Sequence, residues 1–227
     1  MKDINKKIEI KLLLTFLENV PFEGWKWETL YDSAFEIKLL KSKKISDNDK
    51  LVLKNLFDND LLNIIIKFND YLDLEMKESF RKSKYTNEKI PSKIKHQILF
   101  RLKAATKYRE AVRVSIGIMA LPQNSRLALS MLYKTCDIIW RNCGDRSTDF
   151  SFYTKRLILS GVYSSTLSYW LNEKDFVKVE HFLQRRLNNV SKFGELKKIP
   201  KLINQSNPIN TIMKIFQKFS SKKFSYK

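Results

Sequence analysis

Helix breakers are too sparse in this chain to divide it into anything but long segments: 227 residues carry five glycines and five prolines, and every glycine stands alone. So few breakers favour helices joined by short connections. No strand is needed to place any residue. With 43% of its residues hydrophobic, the chain can bury a full core as one domain or a little more.

Apolar periodicity fills in the elements. Positions 8, 12, 13, 16, 17 and 20 make one stripe from Ile4 to Val20, which Pro21 is expected to stop. After Gly24, Trp27, Leu30, Tyr31, Ala34 and Phe35 repeat the rhythm. A short third helix fits Asp47 to Leu53, with Asp49 three residues beyond the capping Ser46. Three such helices resemble a helix-turn-helix head. A long helix after Asp58 runs from Leu61 to Phe80, and Pro91 opens the next, with Ile94, Ile98 and Leu102 inward. Tyr108 to Met119 follows, ended by Leu121-Pro122. Asn124 or Ser125 can cap Arg126 to Cys143, which Gly144 closes. Asp149 suits the N-cap of Phe150 to Leu171, and Phe176 to Val190 comes last before a linker at 192–208. The expected fold is all-α, with nine or ten helices. The expected division is a head at 1–57, a body at 58–191, the linker, and a basic helix at 209–227.

No run of about 18 apolar residues exists to span a bilayer. The first residues are too short and too acidic at their flanks for a secretory signal, and lack the arginines of a transit peptide. A formal charge of +19 favours nucleic acid or anionic lipid as a partner, although a lysine drift in an Ile- and Asn-rich chain explains part of it. From Lys192 onward there are nine lysines against Glu195 alone. There Ile209, Ile212, Met213, Phe216 and Phe219 share one helical face, while Lys214, Lys218 and Lys222 lie off it. Periodicity leaves three fates open for this segment: docking on the body or a second subunit, lying on a membrane surface, or staying without fixed structure.

The chain is poor in reactive groups. His96 and His181 sit in no metal motif, and two histidines with Cys136 and Cys143 fall short of a comfortable zinc site. The cysteines read as buried thiols. No phosphate loop occurs. Asp145 and Asp149 stand i, i+4, and Arg141 and Arg146 are expected to pair with them, a structural rather than acid–base use. No cofactor is expected.

The densest stretch is Trp140 to Trp170. Phe150 and Tyr153 are spaced for packing with Leu157; Phe152 lies on the next face near Lys155 and Arg156, the composition either of an interface hot spot or of ordinary packing. Gly161, Ser164, Ser165 and Ser168 make a small-residue ridge, which either admits a close helix or leaves room for an apolar ligand.

The run Gly-Asp-Arg-Ser-Thr-Asp-Phe-Ser-Phe-Tyr-Thr-Lys-Arg from Gly144, then Gly161-Val-Tyr-Ser-Ser-Thr-Leu-Ser-Tyr-Trp170, resembles the COQ9 family of ubiquinone biosynthesis proteins. Arg109-Glu-Ala-Val-Arg, Met119-Ala-Leu-Pro and Phe182-Leu-Gln-Arg-Arg-Leu-Asn-Asn-Val190 fit it too. The resemblance covers 22–190 and is strongest after Arg109. It implies a TetR-like fold, usually dimeric, and a non-enzymatic role: binding an isoprenoid quinone precursor and presenting it to a membrane-associated di-iron hydroxylase. It also implies that 209–224 lies on the membrane, that the protein is peripheral to the inner face of a bacterial cell membrane, and that Asp149, Phe152 and Tyr153 meet the partner. Phe152 stands where many relatives carry tryptophan. Leu157, Gly161, Ser165 and Tyr169, with Leu132 and Ile138 on the preceding helix, are the expected lipid-lining residues. The rivals are a scaffold of the biosynthetic complex and a TetR-type DNA-binding regulator. The regulator draws on Lys38, Lys41, Lys43, Lys44, Lys50 and Lys54, but Asp47, Asp49 and Asp58 oppose it.

Overall fold

A computed structural model of the chain describes residues 2–40, 42, 45–148 and 150–192. Among them all regular structure is helical: α1 (Lys2–Glu23), α2 (Trp27–Glu36), α3 (Asp47–Asn55), α4 (Leu61–Arg81), α5 (Ile90–Ala105), α6 (Arg109–Met119), α7 (Ser125–Asn142), α8 (Phe150–Asn172) and α9 (Phe176–Lys192), with short 3-10 turns between some of them. Asp149, the linker from 193 and the whole 209–224 segment lie outside the described residues, as do Lys41, Lys43 and Lys44. No described helix is long and apolar enough to cross a membrane. The chain falls into two compact units, Met1–Ser83 with Phe100–Met131, and Lys84–Leu99 with Leu132–Lys227.

In the first unit α1 packs on α2 and α6. Its stripe Leu12, Leu13, Phe16, Leu17 and Val20 is buried, and each such side chain contributes about 1.5–3 kcal/mol. Pro21 does not stop α1. It lies inside the last turn, where it removes a single donor; the Gly24 amide still bonds Val20 O at 2.9 Å, and the helix ends where Gly24 turns to φ 88°. Trp25 sets its ring edge against Phe16 at 5.1 Å and donates Nε1–H to Leu61 O, tying the start of α4 to α1. The Ser46 side chain caps α3 by accepting from Asp49 N, and its hydroxyl donates to the Asp49 carboxylate at 2.7 Å. Asp60 caps α4; Asp58 and Asn59 take the left-handed turn before it, at φ 51° and 56°. Arg101 on α5 is buried with Asp73 and Asn69 of α4, donating Nε–H to Asp73 Oδ1 at 2.7 Å and Nη2–H to Asn69 Oδ1 at 2.6 Å.

The second unit is built on α8 and α9, which pack on one another around Trp170, Val179 and Leu183, all fully buried. Tyr169 stacks flat on Phe182, centroids 4.3 Å apart. Gln97, also fully buried, donates to Ile139 O and to Cys143 Sγ, each at 3.3 Å, and accepts from Asn142 Nδ2 at 2.9 Å. It thereby fixes the first part of α5 to the last turn of α7. Lys95 reaches Glu180 on α9 at 3.2 Å.

Candidate functional site

The turn between α7 and α8 is made by backbone rules before any side chain acts. After Asn142, Gly144 adopts φ 87° and donates to Arg141 O at 2.9 Å, while Asp145 N donates to Trp140 O at 3.1 Å. These are the paired bonds of a Schellman C-terminus, which needs a residue at ease with positive φ in the Gly144 place. The motif reverses the chain and aims the Asp145 carboxylate back at the helix that follows.

There it meets two cations one residue apart. Asp145 Oδ1 accepts from Lys155 Nζ at 2.7 Å and from the Ser147 hydroxyl; Oδ2 accepts from Arg156 Nη1 at 3.0 Å. Arg156, only 1% exposed, also donates Nε–H to Asp137 Oδ1 at 2.7 Å, and Asp137 Oδ2 accepts from Arg141 at 2.7 Å. Charges therefore alternate through Arg141, Asp137, Arg156, Asp145 and Lys155. Trp140 closes the arrangement by donating Nε1–H to Lys155 O at 3.1 Å. Burial alone pushes the Asp145 carboxyl up, but the hydrogen bonds from Lys155, Ser147 and Arg156 outweigh it and hold the group well below the usual carboxylate range. A carboxylate so held is a poor general base near neutral pH.

The expected pairing of Asp145 with Arg141 or Arg146 is corrected in detail. Arg141 serves Asp137, and Asp145 takes Lys155 and Arg156. The Asp137–Arg141 pair follows i, i+4 helical spacing, although the sequence reading did not name it; such spacing carries no signal for contacts ten to nineteen residues apart across a turn.

Arg156 also touches Phe152, one of the expected partner residues. Its Nη1 donates to Phe152 O at 3.0 Å and its guanidinium carbon lies 3.5 Å from the Phe152 ring centroid. Tyr153 meets Phe152 edge-on at 5.1 Å and is 45% exposed. Phe152 is half-buried, between the two roles the sequence left open. Tyr133 of α7 stands in the same electrostatic neighbourhood; burial raises its phenol, and Arg156 opposes the rise.

The expected lipid-lining residues lie on α7 and α8. Leu132 and Ile138 are half-buried, Leu157 is buried, Gly161 is exposed, and Ser165 is half-buried with its hydroxyl given to Val162 O at 3.0 Å. Tyr169 is occupied in the stack on Phe182. A Cβ built on Gly161 meets nothing within 4 Å, so no described neighbour demands the glycine for close approach. A depression of about 360 Å³ lies against Phe182, Arg185, Arg186, Asn188 and Asn189 of α9, with a lining about as apolar as polar. Among the described residues no group of three or more His, Cys, Asp or Glu is placed to hold a metal. Cys136 and Cys143 are thiols, not joined in a disulfide, and burial pushes Cys143 up to about 11.

The class of fold is settled by comparison with solved structures. The chain is an all-α bundle similar to the TetR transcriptional regulator from Nitrosomonas europaea ATCC 19718, with TM-score 0.64 and 16% identity over 82% of this chain and 99% of that one. At that identity the likeness shows the fold alone. By sequence, residues 125–194 match the family model of COQ9. It is 28% identical over 200 residues to the ubiquinone biosynthesis protein COQ9, mitochondrial, of Rattus norvegicus, covering 85% of this chain and 62% of that protein. It is 27% identical over 199 residues to the COQ9-A protein of Xenopus laevis, covering 84% and 60%. The chain spans about three fifths of the length of these relatives.

Proposed function

We propose that the chain is a non-enzymatic accessory protein of ubiquinone biosynthesis that binds an isoprenoid quinone precursor at an anionic membrane surface and presents it to a di-iron hydroxylase. The observation that carries the reading is the family match over residues 125–194, the stretch that holds α7, α8, α9 and the charge-locked turn. The mechanism is physical. Drawing a polyprenyl tail out of lipid needs an apolar surface to receive it, and the α7–α8 residues Leu132, Ile138, Leu157, Gly161, Ser165 and Tyr169 are assigned that task. Asp149, Phe152 and Tyr153 meet the hydroxylase. The apolar face of 209–224 rests on the inner face of a bacterial cell membrane, with Lys214, Lys218 and Lys222 against its anionic headgroups. A homodimer with a head at 1–57 and a body at 58–191 completes the proposal.

The test is reconstitution of the hydroxylase on vesicles containing a polyprenylated precursor. Adding this chain raises turnover, Tyr153→Ala abolishes the rise, and the chain without hydroxylase converts nothing. Unchanged turnover on adding the wild-type chain defeats the reading.

The TetR-like fold favours one other reading, a DNA-binding regulator. Against it, the first turn of α3 carries Asp47 and Asp49, and Asp47 already engages Lys50 at 3.0 Å; acids at the start of a recognition helix repel phosphate. A salt-dependent, sequence-specific shift of duplex DNA by the purified chain is the result that favours this rival.

A further inference from the structure

We infer that Arg156 is a positioning residue, which holds the Phe152–Tyr153 aromatic step in the one shape that a partner protein with an apolar recess and an acidic rim can receive. The inference rests on the reading of Phe152 and Tyr153 as the partner contact.

Arg156 is restrained from three directions: by Asp137 of α7, by Asp145 of the turn, and by the Phe152 carbonyl of its own helix. Its guanidinium is therefore a fixed plate, 1% exposed, and the Phe152 ring lies on it at 3.5 Å. A cation–π contact is strong where water is excluded. Rotating the ring away forfeits that contact, and Tyr153, set edge-on against Phe152, loses its wall in turn. A rigid aromatic pair keeps the ordering cost of docking low. The surroundings state the partner's chemistry. The carboxylates of Asp137 and Asp145 are spent on Arg141, Arg156 and Lys155; the Arg141 side chain is still 64% exposed, and Arg146 is exposed. Counting Arg141, Arg146, Lys155 and Arg156 against Asp137, Asp145 and Asp149 leaves a net charge of +1 (4 − 3) on this turn and its flanks, which suits an apolar recess edged by Asp or Glu.

Arg156→Lys separates charge from plate, because an ammonium keeps the sign and loses the fork and the flat face. Binding to the purified di-iron hydroxylase is measured by calorimetry, with 3-fluorotyrosine placed at Tyr153 as a fluorine reporter and far-UV circular dichroism as the check on fold. Arg156→Lys is expected to move and broaden the reporter signal and to weaken binding about tenfold, the size of a lost desolvated cation–π contact. Phe152→Leu removes the ring while leaving every charge in place; it is expected to do the same, and it carries the test if Arg156→Lys does not fold. The double variant is expected to be no weaker than either single one. Arg101→Lys, a buried arginine of the other unit, is expected to lower stability and leave the dissociation constant unchanged. Weakening that merely tracks stability across all three arginine and phenylalanine variants overturns the inference. So does wild-type binding by Arg156→Lys or Phe152→Leu with the reporter mobile. If Tyr153→Ala also binds like wild type, the surface reading falls as well; if Tyr153→Ala alone weakens binding, only the positioning role of Arg156 falls.

Discussion

Arg101 and Arg156 are both buried, both ion-paired, and put to different uses. Arg101 closes a ring: it donates to Asp73 and Asn69, which lie four residues apart on α4, and Asn69 donates to Asp73 at 3.2 Å. Arg156 sits in the middle of an open series whose ends, Arg141 and Lys155, are partly exposed, and it carries an aromatic ring on its face. A closed ring holds two helices together. An open series does that and also fixes the side chains at its edge, which is the difference between a structural arginine and one coupled to a surface.

The sharpest way to break the comparison is to delete each arginine in turn. Arg101→Ala takes the buried cation from beside Asp73, which keeps the Asn69 amide, and is expected to cost about 3–5 kcal/mol of unfolding free energy in urea titrations. Arg156→Ala leaves Asp137 with Arg141 and Asp145 with Lys155, so about 1.5–3 kcal/mol is expected, the worth of charged hydrogen bonds without a stranded ion. An equal or reversed order contradicts the distinction.

Acid sharpens it next. The Asp145 carboxyl is held below its ordinary value of 3.8 in the folded chain, so its contribution is complete above that value and is lost as pH falls through the lower folded one. Asp145→Asn is expected to be less stable than wild type at pH 6, with the gap closing below pH 3.8. A gap that stays constant down to the acid limit counts against a charge-based role for Asp145.

The smallest effect concerns the small-residue ridge. Gly161→Ala places a methyl in open space and is expected to raise stability by up to about 1 kcal/mol through helix propensity. A drop in thermal stability instead means that something packs on this face, a second subunit included.

Much of the fold was legible because helices announce themselves locally. The stripe of Leu12 to Val20, the Ser46 cap, the opening at Pro91 and the glycine at 144 each depend on residues within one or two turns. Pro21 misled because a proline near a helix end costs one bond and no more. The resemblance to COQ9 was readable from the run at 144–170, and the family match holds it. The charge lock was not legible. Asp137, Lys155 and Arg156 come together only once the Gly144 turn folds α8 back toward α7, and spacing along one helix says nothing about pairs across a turn. The ridge of Gly161 and Ser165 shows missing side-chain volume in sequence; what fills such volume is a property of three-dimensional surroundings.

The proposed role stands or falls on whether this protein binds an isoprenoid lipid. Mass spectrometry of organic extracts from gently purified full-length chain, set against the same preparation denatured by heat and washed before extraction, tests it most directly. A polyprenylated species well above the denatured control is expected, and its loss when Leu157 and Gly161 are both replaced by Trp in a chain that still folds. No isoprenoid above the control, from cells that make the quinone, contradicts it.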